Sequence, residues 1–221
     1  MLAPRLAAPV LCHAGLVMRG PAWHEGRPVL YVTLDDGPDA EGSPHLLDAL
    51  AAHDARATVF LRGDRAEARP DLVRQWLEAG HAPGLHGYAH RSAWRTPRAA
   101  LLADHDRAAA VLDGLAGRTV RLCRPPYGRV SPALVRWAAR SGRRLVLWDL
   151  LGYDFRPARS PAVLARFARA YARPGSVLVL HDGAPARRAA QALHHLLPAL
   201  AADGWCFRTL PERTSPRDPT S

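Results

Sequence analysis

The chain has 221 residues, 48% of them hydrophobic, which allows one domain with a full core and short tails. The formal net charge is +10 and all 30 basic residues are Arg; Lys, Asn and Ile are absent, a bias that A/T-poor codon usage explains, and no aromatic-rich basic stripe marks a nucleic-acid binder. The three cysteines, Cys12, Cys123 and Cys206, are odd in number and far apart, which excludes a disulfide framework or a cysteine-held structural zinc.

Residues 1–28 read as an N-terminal extension. Within it, residues 6–18 are the one candidate targeting segment, broken by Pro9, Cys12, His13 and Gly15. It is too short and interrupted for a membrane span and has no clear A-x-A cleavage site. The other expectation is that the extension packs over the end or edge of the domain. Residues 29–211 read as that domain, and 212–221 as a polar, Pro-rich tail that frays.

The domain opens on an apolar run, Val29-Leu30-Tyr31-Val32, which predicts a buried strand. It runs into Thr33-Leu34-Asp35-Asp36-Gly37-Pro38, where Gly-Pro stops it. Two adjacent carboxylates at a strand end repel each other unless a cation is shared nearby. A divalent metal answers that need. His86 and His90, spaced i, i+4, point both rings at one ion if their segment makes a helical turn. Asp36 and two imidazoles give three ligands with a position left for water.

Helices are predicted at 43–52 (Ser43 capping, Pro44 first), from Pro70 to about 79, and from Thr96-Pro97 to about 112. Others run from Ser131-Pro132 to about 141, from Ser160-Pro161 to before Pro174, and from about Pro185 with a Leu193, Leu196, Leu197, Leu200 stripe. Short apolar runs lie between them at 58–61, 120–123, 145–148, 177–180 and 205–207, with a weaker one at 82–85. Cys123 and Cys206 fall in such runs and read as small core residues. Strand and helix alternate, so the fold class is α/β with a parallel sheet of about seven strands, close to a barrel. Asp35-Asp36, His86, Arg124-Pro125-Pro126-Tyr127, Asp149 and Asp154, and His181-Asp182 each follow a predicted strand. In a parallel barrel those points share one face.

These residues carry a resemblance that covers about 29–210. The chain resembles the polysaccharide deacetylases of the NodB-homology type, carbohydrate esterase family 4. Thr33-Leu34-Asp35-Asp36-Gly37-Pro38 matches T-F-D-D-G-P, and His86-Gly87-Tyr88-Ala89-His90 matches H-[ST]-x-x-H. Arg124-Pro125-Pro126-Tyr127 matches R-x-P-[YF], and Leu178-Val179-Leu180-His181 matches L-x-x-H. The fourth motif, D-x-x-D-W, departs: Leu151, Asp154 and Phe155 stand at its two Asp and its Trp. Leu85 stands where Asn often precedes the first His, and Gly87 replaces Ser or Thr, so a supporting hydrogen bond is expected to be lost there.

The resemblance implies a distorted (β/α)7 barrel that hydrolyses N-acetyl groups from amino-sugar glycans, peptidoglycan or chitin-type. It implies a divalent metal, Zn2+ first and Co2+ or Mn2+ as alternatives, on Asp36, His86 and His90. Asp35 is the implied base, oriented by Arg124, and His181 the acid, tuned by Asp154 with Asp149 as rival. The N–H of Tyr127 is the implied oxyanion donor, and Leu180 and Trp148 line an acetyl pocket. Trp94 is the best candidate platform for a sugar, ahead of Tyr88; Trp76 and Trp137 lie in helical patterns and read as core. Two alternatives stand beside this reading: a deformylase or deacylase of lipid-linked sugars or small amides, and a glycan-binding pseudoenzyme. No nucleic-acid partner and a monomeric state are expected.

Overall fold

The computed structural model describes residues 16–212. Cys12, most of the candidate targeting segment and the tail beyond 212 lie outside the described residues. The centre of the fold is the nine-residue strand β3 (Arg27–Asp35), buried from Val29 onward. Its side chains are apolar on both faces up to Thr33, as a parallel strand covered on both sides requires.

One curled path of parallel strands is built around it. The order is β1 (Leu16–Val17), β7 (Arg144–Val146), β6 (Leu122–Cys123), β5 (Ala82–Leu85), β4 (Ala57–Leu61), β3, β9 (Val177–His181) and β8 (Leu150–Leu151). β2 (Trp23–His24) and β10 (Cys206–Phe207) attach to the start of β3. β8 stands at one end of this path and β7 next to the other, one strand in from β1, yet only three residues separate β7 and β8 in the chain. A connection that short brings the two ends together only if the sheet curls into a distorted barrel. Around it lie α1 (Gly42–Ala51), α2 (Gly63–Ala68), α3 (Pro70–Glu78), α4 (Arg98–Ala116), α5 (Pro132–Arg140), α6 (Pro161–Tyr171) and α7 (Ala186–Ala202). No helix among the described residues is long and apolar enough to cross a membrane.

The fold is the one the alternation predicted, with local differences. The caps at Ser131 and Ser160 form, accepting from the N–H groups of Leu134 and Val163. The cap expected at Ser43 does not. α1 starts at Gly42, two residues before Pro44, Asp39 accepts from the N–H groups of Glu41 and Gly42, and the Ser43 hydroxyl is turned inward to Asp182. α4 begins at Arg98 with Pro97, not Thr96, as its cap residue. β1, β2, β8 and α2 were not predicted. β1 sets part of the N-terminal extension on the sheet edge beside β7. Trp76 and Trp137 are buried, and burial pushes the Cys123 thiol up to about 12; Cys206 is only half-buried.

The largest correction concerns the segment after β5. His86, Gly87, Tyr88, Ala89 and His90 form an irregular loop and not a helical turn, with Gly87 at φ +70 and His90 at φ +55. Asp104 of α4, itself buried, holds that loop: its two oxygens accept from the N–H of Tyr88 at 2.8 Å and of Ala89 at 3.0 Å. A Cβ at Gly87 would lie 2.9 Å from the Asp104 carboxylate. The support that the Gly87 substitution seemed to remove therefore comes from the helix, and glycine makes room for it. Leaving two partly buried N–H donors without partners costs about 1–3 kcal/mol. Asp104→Ala is expected to lower unfolding stability by that order and to speed hydrogen exchange at the Tyr88 and Ala89 amides. Unchanged stability with unchanged exchange would show that the loop is held by something else.

Candidate active site

The C-terminal strand ends form one rim, stitched beyond the strands themselves. The His86 N–H donates to the Leu61 carbonyl at 2.9 Å, the Arg124 N–H to that of Leu85 at 2.8 Å, and the Asp182 N–H to that of Asp35 at 2.8 Å. Asp35 ends β3 and is paired in register with His181 at the end of β9. The chain then turns sharply. Asp36 adopts φ +76, a conformation that Asp tolerates better than most residues. A Cβ at Gly37 would meet the Asp182 carboxylate at 2.5 Å, so only glycine fits above it. The turn sends the two neighbouring carboxylates to different partners.

Asp35 is 4% exposed and its Oδ1 accepts from Arg124 Nη1 at 2.6 Å. Arg124 is wholly buried. The same Nη1 donates to Thr33 Oγ1 at 2.7 Å, and Nη2 donates to the Leu147 carbonyl at 3.0 Å. Its guanidinium also lies 4.1 Å from the centre of the Phe60 ring. Burial pulls the Arg124 pKa down, and the Asp35 carboxylate opposes that pull.

Asp36, His86 and His90 each place a ligand atom within 4.8 Å of the others. Asp36 Oδ1 lies 3.1 Å from His90 Nε2 and 3.6 Å from His86 Nε2. That oxygen is fully buried and no donor is aligned with it. His86 Nδ1 donates to the Arg124 carbonyl at 2.7 Å, which leaves Nε2 with its lone pair facing Asp36. Burial raises the Asp36 pKa, but the close approach of the His90 ring and the charges of His86, His90 and His181 carry it well below the usual carboxylate range. An anionic oxygen without a donor, faced by two imidazole nitrogens, is the donor set of a divalent cation with nitrogen affinity. Asp36, His86 and His90 fit such an ion.

His181 stands across from this cluster. Its Nδ1 lies 2.9 Å from Asp154 Oδ1, and its backbone N–H donates to Asp154 Oδ2 at 2.7 Å. Asp154 is 1% exposed. Burial alone lowers the imidazole pKa, but the hydrogen bond and charge of Asp154, with Asp35 and Asp36 behind, raise it above the ordinary value. Asp149 is elsewhere: it accepts from Ser176 Oγ and the Val177 N–H and pairs with Arg19 at 3.3 Å. The geometry therefore joins Asp154, not Asp149, to His181.

The apolar residues are spread around the rim. Tyr127, at φ +62, is 60% exposed and its ring centre lies 4.5 Å from that of His90. Trp94 is 69% exposed on the same side. Trp148 is half-buried and packs over Gly128, and Leu180 is buried beside Gly152. Tyr88 turns outward, where its hydroxyl donates to Glu67 and the Arg107 guanidinium covers its ring. Phe155, at the position of the fourth motif's Trp, stands edge-on to His181 with 5.4 Å between ring centres.

The sequence did not single out Asp104, and it placed Thr33 and Asp182 at the strand ends without reading a role for either. Asp182 lies under the Asp35–Gly37 turn, where burial pushes its carboxyl up to about 7, the Ser43 hydroxyl opposing. For Asp104 a signal existed. It lies on the buried stripe of α4 with Leu101, Ala108 and Leu112, where a lone carboxylate needs a partner.

Comparison with known proteins places this architecture. A family model for polysaccharide deacetylases matches residues 24–146. A peptidoglycan-N-acetylglucosamine deacetylase of Bacillus cereus is 31% identical over 182 residues, which cover 81% of this chain and 66% of that protein, just under two thirds of its length. A chitooligosaccharide deacetylase of Sinorhizobium fredii is 33% identical over 208 residues, 85% of this chain and 92% of that one. A crystal structure of a peptidoglycan N-acetylglucosamine deacetylase superposes with a TM-score of 0.85 at 28% identity, covering 95% of this chain and 96% of that chain. A family 4 carbohydrate esterase from Streptomyces lividans gives 0.75 at 30% identity, covering 81% and 91%. With the curled parallel barrel and these matches together, the chain belongs to the polysaccharide deacetylases of carbohydrate esterase family 4.

Proposed function

We propose that this chain hydrolyses the N-acetyl group of amino-sugar glycans of the peptidoglycan or chitooligosaccharide type. The observation that carries the reading is that a carboxylate locked by an arginine and an imidazole locked by an aspartate lie beside one cluster of possible cation ligands. Asp35, locked by Arg124, is paired in register with His181, locked by Asp154, and Asp36, His86 and His90 converge beside them. A divalent ion on those three ligands, Zn2+ by the ligand set with Co2+ and Mn2+ as alternatives, would supply Lewis acidity and lower the pKa of water.

The side chains do the rest. Arg124 occupies Asp35 Oδ1, which leaves Oδ2 to take a proton from the attacking water. The water oxygen bonds to the acetyl carbon, and the N–H of Tyr127 is proposed to steady the negative charge that develops on the acetyl oxygen. His181, fixed at Nδ1 by Asp154, carries its mobile proton on Nε2 and delivers it to the sugar nitrogen as the C–N bond breaks. Acetate and a free amine are the products. Leu180 and Trp148 are proposed to bound the acetyl methyl.

Asp35→Asn keeps the shape and removes the proton acceptor. It is expected to lower kcat by about 10²–10⁴-fold with metal content per chain unchanged. Near-normal turnover with metal in place would remove Asp35 as the base.

The pH profile tests the other side. His181 must be protonated to act, so activity falls as pH rises through its raised pKa. Asp154→Asn removes the charge that raises this pKa, so the alkaline limb of kcat/KM is expected to move to lower pH. An alkaline limb that stays in place would assign it to another group.

A further inference from the structure

On the β5 and β6 side of the rim, the His90 and Tyr127 rings begin a stack that leads outward. The Arg129 guanidinium lies 5.3 Å from the Tyr127 ring centre and 5.0 Å from that of Trp94. Arg129 Nη1 donates to Ser92 Oγ at 3.0 Å, and Trp94 Nε1 donates to the Val130 carbonyl at 3.0 Å. Trp94 and Tyr127 are thus large, exposed and held in place at once. Arg129 has no carboxylate within ion-pair distance among the described residues. Arginines of nearby elements do: Arg91 with Asp104 at 3.3 Å, Arg62 with Asp64 at 2.5 Å, and Arg107 with Glu67 at 3.0 Å.

A guanidinium between two rings is oriented and partly stripped of water. Only one of its donors is used here, and the free part of its fork suits a bidentate carboxylate. The exposed ring faces beside it suit the apolar face of a pyranose. We propose that Trp94, Arg129 and Tyr127 form a subsite for a sugar that carries a carboxylate. The inference rests on the deacetylase reading and narrows its substrate. Peptidoglycan strands alternate neutral and lactyl-carboxylate-bearing amino sugars, whereas chitooligosaccharides are neutral, so the subsite makes the first the preferred polymer class. Arg129 is the specificity-determining residue.

The test compares three oligosaccharides of equal length: one alternating N-acetylglucosamine and N-acetylmuramic acid, the same compound with its carboxylates reduced to alcohols, and the chitooligosaccharide. For each, kcat/KM and Kd by calorimetry are measured on the wild type, Arg129→Gln and Arg129→Lys. The carboxylate form is expected to be favoured over its reduced form about tenfold, as one charge-assisted hydrogen-bonded contact provides. That ratio is expected to fall toward one in Arg129→Gln, to survive in part in Arg129→Lys, and to shrink with added salt. A ratio that Arg129→Gln leaves unchanged, or a wild-type ratio near one, overturns the subsite. If no compound releases acetate but the binding ratio still follows Arg129, the subsite stands and the deacetylase reading falls. If acetate is released without discrimination, the reverse holds.

Discussion

A positive charge with no route to solvent governs this site. Arg124 is wholly buried at the rim of the barrel, and arginine cannot shed its proton to escape the cost of burial. Desolvating a guanidinium costs several kcal/mol, so its neighbours must be an anion and strong acceptors. Asp35, Thr33 Oγ1 and the Leu147 carbonyl meet that demand at Nη1 and Nη2, while Nε has no hydrogen-bond partner among the described residues. Thr33 Oγ1 in turn donates to the Leu178 carbonyl at 2.7 Å. One cation thereby ties β3, β9 and the segments after β6 and β7 together. The Arg124 backbone is used as well, since its carbonyl fixes the His86 ring. The residue that positions the proposed base also orients a proposed metal ligand, so the two are aligned by the same anchor.

The same device recurs around the rim. Two of the rim segments are held by a carboxylate from elsewhere in the chain that accepts N–H groups: Asp104 for the His86–His90 loop and Asp154 for His181. Four of the six non-glycine residues at positive φ among the described residues, Asp36, His90, Tyr127 and Tyr153, lie on this rim. Such conformations are unfavourable by about 1–3 kcal/mol each and persist only where surrounding structure over-determines them. The parallel sheet and the carboxylate braces provide that, which is why a rigid barrel can carry a strained turn at Asp36.

The elements legible in the sequence were those whose signal is local. Long apolar runs predicted β3, β4 and β9, and Ser-Pro pairs predicted the starts of α5 and α6 because the serine caps its own helix. Two-residue strands such as β1 and β8 have no periodicity to read; they exist because a distant strand pairs with them. Ser43 looked like a cap, but a buried carboxyl 139 residues away claimed its hydroxyl. The i, i+4 spacing of His86 and His90 suggested a helical turn, and the rings converge through a glycine bend instead. The residues brought to the rim were legible through motif order and family resemblance. Their braces, Thr33 and Asp104, were less so, because a brace is defined by what it touches.

The most direct test of the whole account is acetate release from peptidoglycan fragments and penta-N-acetylchitopentaose by chain stripped with chelator and then given Zn2+. The account predicts that stripping abolishes release, that Zn2+ restores it, and that Asp36→Ala is not restored at the same metal concentration. Release that persists in the stripped chain, or none from the reloaded chain on either glycan, would contradict it.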